Sequence, residues 1–162
     1  MLAAASDDHL VLLEYVHRRT LDAQLDRARR AVPGSYEHGE SPIFARLRSQ
    51  LDDYFRGERT EFNLPLLTPG TPFQERVWNA LRGIPHGSTT SYGRLATSIG
   101  QPEAVRAVAR ANGDNRVAII IPCHRVIGAD GSLTGYGGGL WRKKKFLEME
   151  ARGHKLSLFD PG

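Results

Sequence analysis

The sequence predicts a mixed α/β (α+β) protein in two parts. The first is a small N-terminal antiparallel-sheet domain with helices over residues 1–69, and the second a mostly helical domain with a helix-turn-helix over residues 70–162. Three observations carry this reading. Apolar runs near the N-terminus have the length of strands rather than helices. Proline and hydroxyl residues then mark helix starts, and glycines mark ends. Two brief helical patterns further on are joined by Gly100-Gln101-Pro102, the layout of a helix-turn-helix.

In chain order, Leu10 to Tyr15 reads as a strand, with Leu2 to Ala5 its partner. Thr20 is placed to cap a helix running to about Arg30, with Leu21, Leu25 and Ala28 on one face. Residues 33–42 are loop. Ser41-Pro42 opens a second helix, in which Ile43, Leu47, Leu51 and Tyr54 keep helical spacing and Gly57 ends the run. Leu64 to Leu67 is a short extended piece. Thr71-Pro72-Phe73-Gln74 has the form of a capping box with proline in the first turn; Phe73, Val77 and Leu81 follow as a buried stripe, and Gly83 stops the helix. Tyr92, Leu95 and Ile99 line the first half of the helix-turn-helix, and Glu103 to Asn112 form its second helix. Val117 to Ile121 reads as a buried strand. Gly128 to Gly139 holds six glycines and is loop, and a last helix covers roughly Trp141 to Ala151.

Composition limits the function. Forty per cent hydrophobic residues in 162 support a real core. Twenty-two Lys and Arg against 18 Asp and Glu give a net charge of +4, a modest lean toward a polyanion such as nucleic acid. No apolar run reaches the roughly 20 residues of a membrane span. The N-terminus lacks the pattern of a signal peptide, and with a single thiol a reducing cytoplasm is the expected compartment.

That thiol, Cys123, sits in Ile121-Pro122-Cys123-His124-Arg125. A lone cysteine has no disulfide partner and makes a poor zinc site. A buried structural thiol would sit in an unbroken apolar run, whereas here a proline precedes it and two polar residues follow. A free thiol with a pKa of about 8.5 is mostly protonated at neutral pH, and His124 and Arg125 are groups that would lower it, which makes Cys123 a candidate nucleophile. Neighbours in an extended chain point apart, so either the backbone turns here or a water links thiol and imidazole. An orienting acid for His124 would come from the last helix. Glu148 follows Lys144 at ion-pair spacing and Glu150 lies on the apolar face beside Phe146 and Leu147; spacing alone does not choose between them.

The second short helix is thin at Ala104, Ala107 and Ala111, with Arg106 and Arg110 one turn apart, a form suited to close approach to phosphates or a base stack. Arg142-Lys143-Lys144-Lys145 reads as a solvated basic face. Thr134-Gly135-Tyr136-Gly137-Gly138-Gly139 lacks the ending of a phosphate loop and reads as a flexible wall over a flat ligand.

Taken together, residues 70–152 resemble the O6-alkylguanine-DNA alkyltransferase family. The likeness runs through Phe73-Gln74, Val77-Trp78, Ile84-Pro85, Gly87, Ser91-Tyr92-Gly93, Leu95-Ala96, Arg106-Ala107-Val108, Asn115, Pro122-Cys123-His124-Arg125-Val126 and Gly135 to Gly139. Residues 1–69 match in layout only, and relatives carry a further first strand. The resemblance implies a ribonuclease-H-like N-terminal domain, beginning inside its sheet, and a winged-helix-like C-terminal one. It implies DNA repair by direct reversal: Cys123 takes the alkyl group from O6 of guanine, with O4-alkylthymine a further candidate, and keeps it as a thioether. His124 takes the thiol proton through a water and Glu150 holds the imidazole. Tyr92 protonates the leaving guanine and helps turn its phosphate. Arg106 fills the stack from the minor groove as the nucleotide is extruded. Asn115 braces the helix-turn-helix against the active-site segment, Tyr136 walls the pocket, and backbone groups at Cys123 and Val126 read the guanine edge. Gly137 leaves only a backbone N–H for O6, and Arg125 and Ala107 count among the substrate- and DNA-facing residues. The implied partner is double-stranded DNA containing O6-alkylguanine, bound by a monomer able to cluster on DNA. No cofactor is implied. Some relatives hold zinc through N-terminal cysteines that this chain lacks, so no metal is expected.

Three rivals are weighed against this. A non-catalytic reader of alkylated bases would lack Cys123. A cysteine hydrolase using His124 or His86 would turn over. A transcription factor would need a second DNA-binding or regulatory segment, which is not seen.

Overall fold

A computed structural model of the chain describes residues 1–152. Strand β1 (Leu2–Ala5) pairs antiparallel with β2 (Leu10–Glu14), in register Leu2 with Glu14 and Ala3 with Leu13. All five residues of β2 are buried because its other edge is covered too. Leu10 bonds to Pro65 and Leu67, and Leu13 to Arg116 and Ala118, through backbone groups. A strand wrapped on both edges and faces carries a continuous apolar run rather than an alternating one.

Helix α1 (Leu21–Ala31) forms where expected, but Thr20 does not cap it with its side chain. The Thr20 hydroxyl instead accepts a hydrogen bond from Arg18 Nε at 2.8 Å. Ala28 is buried and Leu25 partly so, and Gln24, one turn before Ala28, is fully buried. Helix α2 (Pro42–Phe55) starts as predicted, the Ser41 hydroxyl accepting from Ile43 N, and Gly57 takes the left-handed turn beyond its end at φ 72°. Helix α3 (Pro72–Arg82) opens on the full reciprocal capping box of Thr71 and Gln74. Its inward face is Val77, Trp78 and Leu81, while Phe73 is only partly covered.

The two-residue strand β3 (Thr90–Ser91) leads into α4 (Tyr92–Ser98), capped by the Ser91 hydroxyl. Gly100, at φ 73°, reverses the chain, a 3-10 turn follows at Pro102–Ala104, and α5 (Val105–Gly113) completes the helix-turn-helix. Helix α3 buttresses the unit, Trp78 Nε1 donating to Ala111 O at 2.9 Å. One apolar core runs through Leu10, Leu13, Ile43 and Leu47 into Val77, Leu81, Leu95, Val108 and Val126.

The predicted strand at Val117 to Ile121 does not form. Only Val117 makes a bridge, to Leu13, and the segment then coils into a tight turn with Ile121 N donating to Val117 O. Ile119 adopts φ 72°, the only non-glycine residue at positive φ among those described. A β-branched residue there stores about 1–3 kcal/mol of strain. The run is buried, as its composition requires, but burial does not dictate extension. Strand β4 (Val126–Ile127) pairs parallel with β3. The glycine-rich stretch is loop, and α6 (Leu140–Arg152) closes the described chain. No described helix is long and apolar enough to cross a membrane.

The core and cap make distinct predictions for urea unfolding. Leu81→Ala should cost about 2–5 kcal/mol and Thr71→Ala about 1 kcal/mol; a smaller loss for Leu81 than for Thr71 would contradict this description of the core.

Candidate active site

Pro122 breaks the chain out of the preceding turn, and Cys123–Arg125 form a single 3-10 turn. That turn is what lets adjacent Cys123 and His124 both face inward. All three side chains are buried, His124 completely.

Asn115, just past the end of α5, fastens the segment. Its amide nitrogen donates to Ile121 O at 2.8 Å and to Cys123 Sγ at 3.1 Å, and its amide oxygen accepts from Val117 N at 3.0 Å. The turn at 117–121 and the sulfur thus share one side chain, from a residue just beyond the end of α5.

Of the two acids left open by spacing, Glu150 is the one brought to His124. Glu148 lies at the surface, 3.9 Å from Lys144. Glu150 Oε1 accepts from His124 Nε2 at 2.9 Å, from Arg125 Nη2 at 2.9 Å and from the Tyr54 hydroxyl at 2.6 Å. Oε2 accepts from Arg125 Nε at 2.9 Å and from Gly87 N at 3.3 Å. Burial alone would raise the Glu150 pKa, but the hydrogen bonds from His124 and Arg125 outweigh it and hold the carboxyl well below the usual carboxylate range. Arg125 supplies the balancing charge, so the imidazole need carry none. Burial pushes His124 below its ordinary value against the pull of Glu150. A carboxylate only accepts, so Nε2 carries the proton. Nδ1 is left as the basic nitrogen, and it is buried with no hydrogen-bond partner.

Three expectations are corrected here. Arg125, expected to face substrate or DNA, is turned inward, bonded to Glu150 and to Ile84 O at 2.7 Å. Its charge is therefore engaged, and the thiol pKa is not lowered: burial pushes it up, with only the Asn115 amide as a hydrogen-bond counterweight. The pair at rest is a neutral thiol and a neutral imidazole. Lys143, expected on a wet face, is fully buried and donates to Val126 O at 2.6 Å and Thr134 O at 2.7 Å.

Beside Cys123 lies a cavity of about 20 Å³, lined by Glu14, Tyr15, Arg18, Asn115, Tyr136 and Gly137 among others. It holds roughly one water and no purine. Tyr136 walls it, its hydroxyl 2.9 Å from that of Tyr15. Arg18 closes it, bonded to Glu14 and to the carbonyls of Gly113 and Asn115. A Cβ on Gly137 would lie 2.9 Å from the Arg18 guanidinium, and one on Gly138 2.5 Å from the Tyr15 ring. Glycine at 138 lets the loop lie against the Tyr15 ring, and glycine at 137 lets the Arg18 guanidinium rest directly on the backbone.

The remaining predicted residues are more dispersed. The Tyr92 hydroxyl accepts from Thr134 Oγ1 at 3.3 Å, next to the glycine loop. Arg106 and Ala107 are exposed on α5. Both backbone groups of Val126 are engaged, its N–H with Cys123 O and its carbonyl with Lys143. His86 stands edge-on to Tyr54 and makes no hydrogen bond to Cys123. Sequence reasoning missed Glu14, Tyr15 and Arg18. The signal was present: a carboxylate ending an apolar strand needs a buried partner, and Arg18 follows Glu14 by four.

A helix-turn-helix domain with a buried cysteine next in sequence to a glutamate-bound histidine, beside a small cavity, defines, as a class, a DNA-binding protein with a candidate thiol nucleophile. Comparison with known proteins narrows this. Residues 72–152 match the DNA-binding domain, and residues 2–68 the ribonuclease-like domain, of 6-O-methylguanine DNA methyltransferase. A methylated-DNA–protein-cysteine methyltransferase of Mycolicibacterium paratuberculosis is 56% identical over 124 residues, 75% of each chain. The constitutive enzyme of that name from Bacillus subtilis is 51% identical over 111 residues, 68% of this chain and 67% of its own. The crystal structure of Mycobacterium tuberculosis OGT in complex with DNA superposes with a TM-score of 0.80 at 44% identity, covering 98% of this chain and 91% of that one. The chain belongs to the 6-O-methylguanine DNA methyltransferase family.

Two predictions follow from the protonation states. With the thiol pKa raised above its ordinary 9.0, alkylation of Cys123 by iodoacetamide in the folded protein should keep accelerating with pH through that value; a plateau at neutral pH would show a thiolate instead. Because the His124 pKa is depressed on folding, the unfolded chain binds a proton that the native one refuses. Its contribution to stability is present above its ordinary 6.5 and is lost as pH falls below it, so thermal midpoints should drop between pH 7.5 and 5.5, and His124→Gln should flatten that slope.

Proposed function

We propose that this protein is a methylated-DNA–[protein]-cysteine S-methyltransferase that repairs DNA by moving the alkyl group from O6 of guanine to Cys123, once per molecule. The observation that carries the reading is the lone thiol beside an imidazole whose only free nitrogen is basic, on a turn fastened to a DNA-recognition helix. The partner is double-stranded DNA containing O6-alkylguanine, and the protein works as a monomer in the cytoplasm.

The steps are as follows. The target atom is stacked inside a duplex, so the nucleotide is extruded at a cost of a few kcal/mol. Arg106, exposed on α5 with Ala107 beside it, enters the stack in its place. The glycine loop and Arg18 move aside to admit the base between Tyr136 and Cys123, with the Gly137 N–H toward O6. His124 Nδ1 takes the thiol proton, through a water, as Sγ attacks the alkyl carbon. The S–C bond forms, the C–O6 bond breaks, and the electron pair goes to guanine, which Tyr92 protonates. Glu150 stabilises the imidazolium that results. The thioether offers water no leaving group, and no described residue is placed to regenerate the thiol.

Incubation with an O6-methylguanine duplex should add one methyl group to the peptide containing Cys123, in an amount equal to the protein. Turnover beyond one equivalent would reject the mechanism. Cys123→Ala should abolish transfer while duplex binding persists. Arg106→Ala should slow repair of duplexes far more than reaction with the free alkylated base; equal slowing would count against insertion.

A further inference from the structure

On the chain's surface, apart from the Cys123 cavity, lies a cleft of about 450 Å³ between α1, the segment Pro69–Thr71 and the C-terminal end of α5. Its charged lining is Arg27, Arg30, Arg116 and Asp114. Asp114 is already engaged: Oδ1 accepts from Arg27 Nη1 at 3.0 Å and Oδ2 from Gln74 Nε2 at 3.1 Å. Subtracting that pair leaves two guanidinium charges. Arg30 is exposed and has no acidic partner among the described residues. Arg116 is only 5% exposed.

Arg116 is the telling residue. Its Nη2 donates to Pro69 O at 2.8 Å, and its guanidinium sits 5.4 Å from the centre of the Trp78 ring. Stacking uses the face of a guanidinium and leaves its in-plane N–H groups to find acceptors. Nε and Nη1 are buried and have none. Burial, and the neighbouring Arg27 charge, push its pKa below its ordinary value, the mark of a cation short of counter-charge. A buried cation is costly unless paired, and a guanidinium beside other cations suits a tetrahedral oxyanion in particular. The alkyl-transfer reaction uses none of these groups.

We infer that the Arg27–Arg30–Arg116 cleft is a binding site for a phosphate-class oxyanion. The anion is either a free phosphate or the phosphodiester of a DNA segment passing the far end of the recognition helix. The Trp78–Arg116 stack and the Asp114–Arg27 and Asp114–Gln74 bonds hold Arg116 and Arg27 in place before it arrives, so only Arg30 gives up much side-chain freedom on binding.

The test follows arginine Nε–Hε resonances of the full chain during titration with inorganic phosphate at constant ionic strength and pH. The Arg116 resonance should shift saturably, Arg30→Ala should weaken the apparent affinity about threefold, and Arg116→Met, which keeps the stem over Trp78, should abolish the response. Should the Met variant fail to fold, Arg30→Ala, at an exposed helix position, still decides. A second arm measures duplex binding against salt. If the source is a DNA phosphodiester, Arg30→Ala lowers the salt slope by about one; if it is a free phosphate, the slope and the transfer rate stay unchanged while the phosphate response weakens. The same Arg116 shift with chloride replacing phosphate, or no effect in either arm, overturns the site.

Discussion

The carboxylate of Glu150 is the point on which the site depends. It draws donors from α2, the linker at Gly87 and both polar residues of the Cys123–Arg125 turn. A buried charge with this many partners is stable only as a set, and losing one partner from such a pair typically costs about 3–5 kcal/mol. Its electrostatic consequence is local and specific. Arg125 neutralises it, so His124 bonds to it as a neutral ring, and committing the Nε2 proton leaves a single basic nitrogen for the thiol side. Tyr54, far away in sequence, belongs to the same set.

Asn115 is the second fastening. Helix α5 ends two residues before it, and its side chain reaches both the backbone of the turn at 117–121 and the sulfur itself. The strained Ile119 backbone lies within the turn that Asn115 braces. The amide therefore couples the end of α5 to the orientation of Sγ.

Local chemistry was legible in the sequence and long-range chemistry was not. Capping signals at Ser41 and Thr71 concern residues three apart or fewer, and the helices begin there. The same reasoning misplaced Thr20, because Arg18 competes for its hydroxyl from two residues away. Val117 to Ile121 is apolar enough to be buried, and composition cannot tell a buried strand from a buried turn. The Cys123–His124 pair was readable from adjacency, but helical spacing left Glu148 and Glu150 both open, and only the family resemblance pointed to Glu150. Lys143 was misread because a lysine in a basic run ordinarily faces water, and nothing in the run announces the carbonyls of Val126 and Thr134. Tyr15, Arg18 and Glu14 reach the cavity from about a hundred residues away, a proximity set by β2 lying against residues 116–118.

The missing side chains at Gly137 and Gly138 set how tightly the entrance shuts. A methyl group at Gly138 would run into the Tyr15 ring, and one at Gly137 would push the Arg18 guanidinium aside. Bareness at these two positions therefore amounts to a seal. At rest the sulfur thus stands largely out of bulk solvent, behind the loop and two side chains from the N-terminal part of the chain.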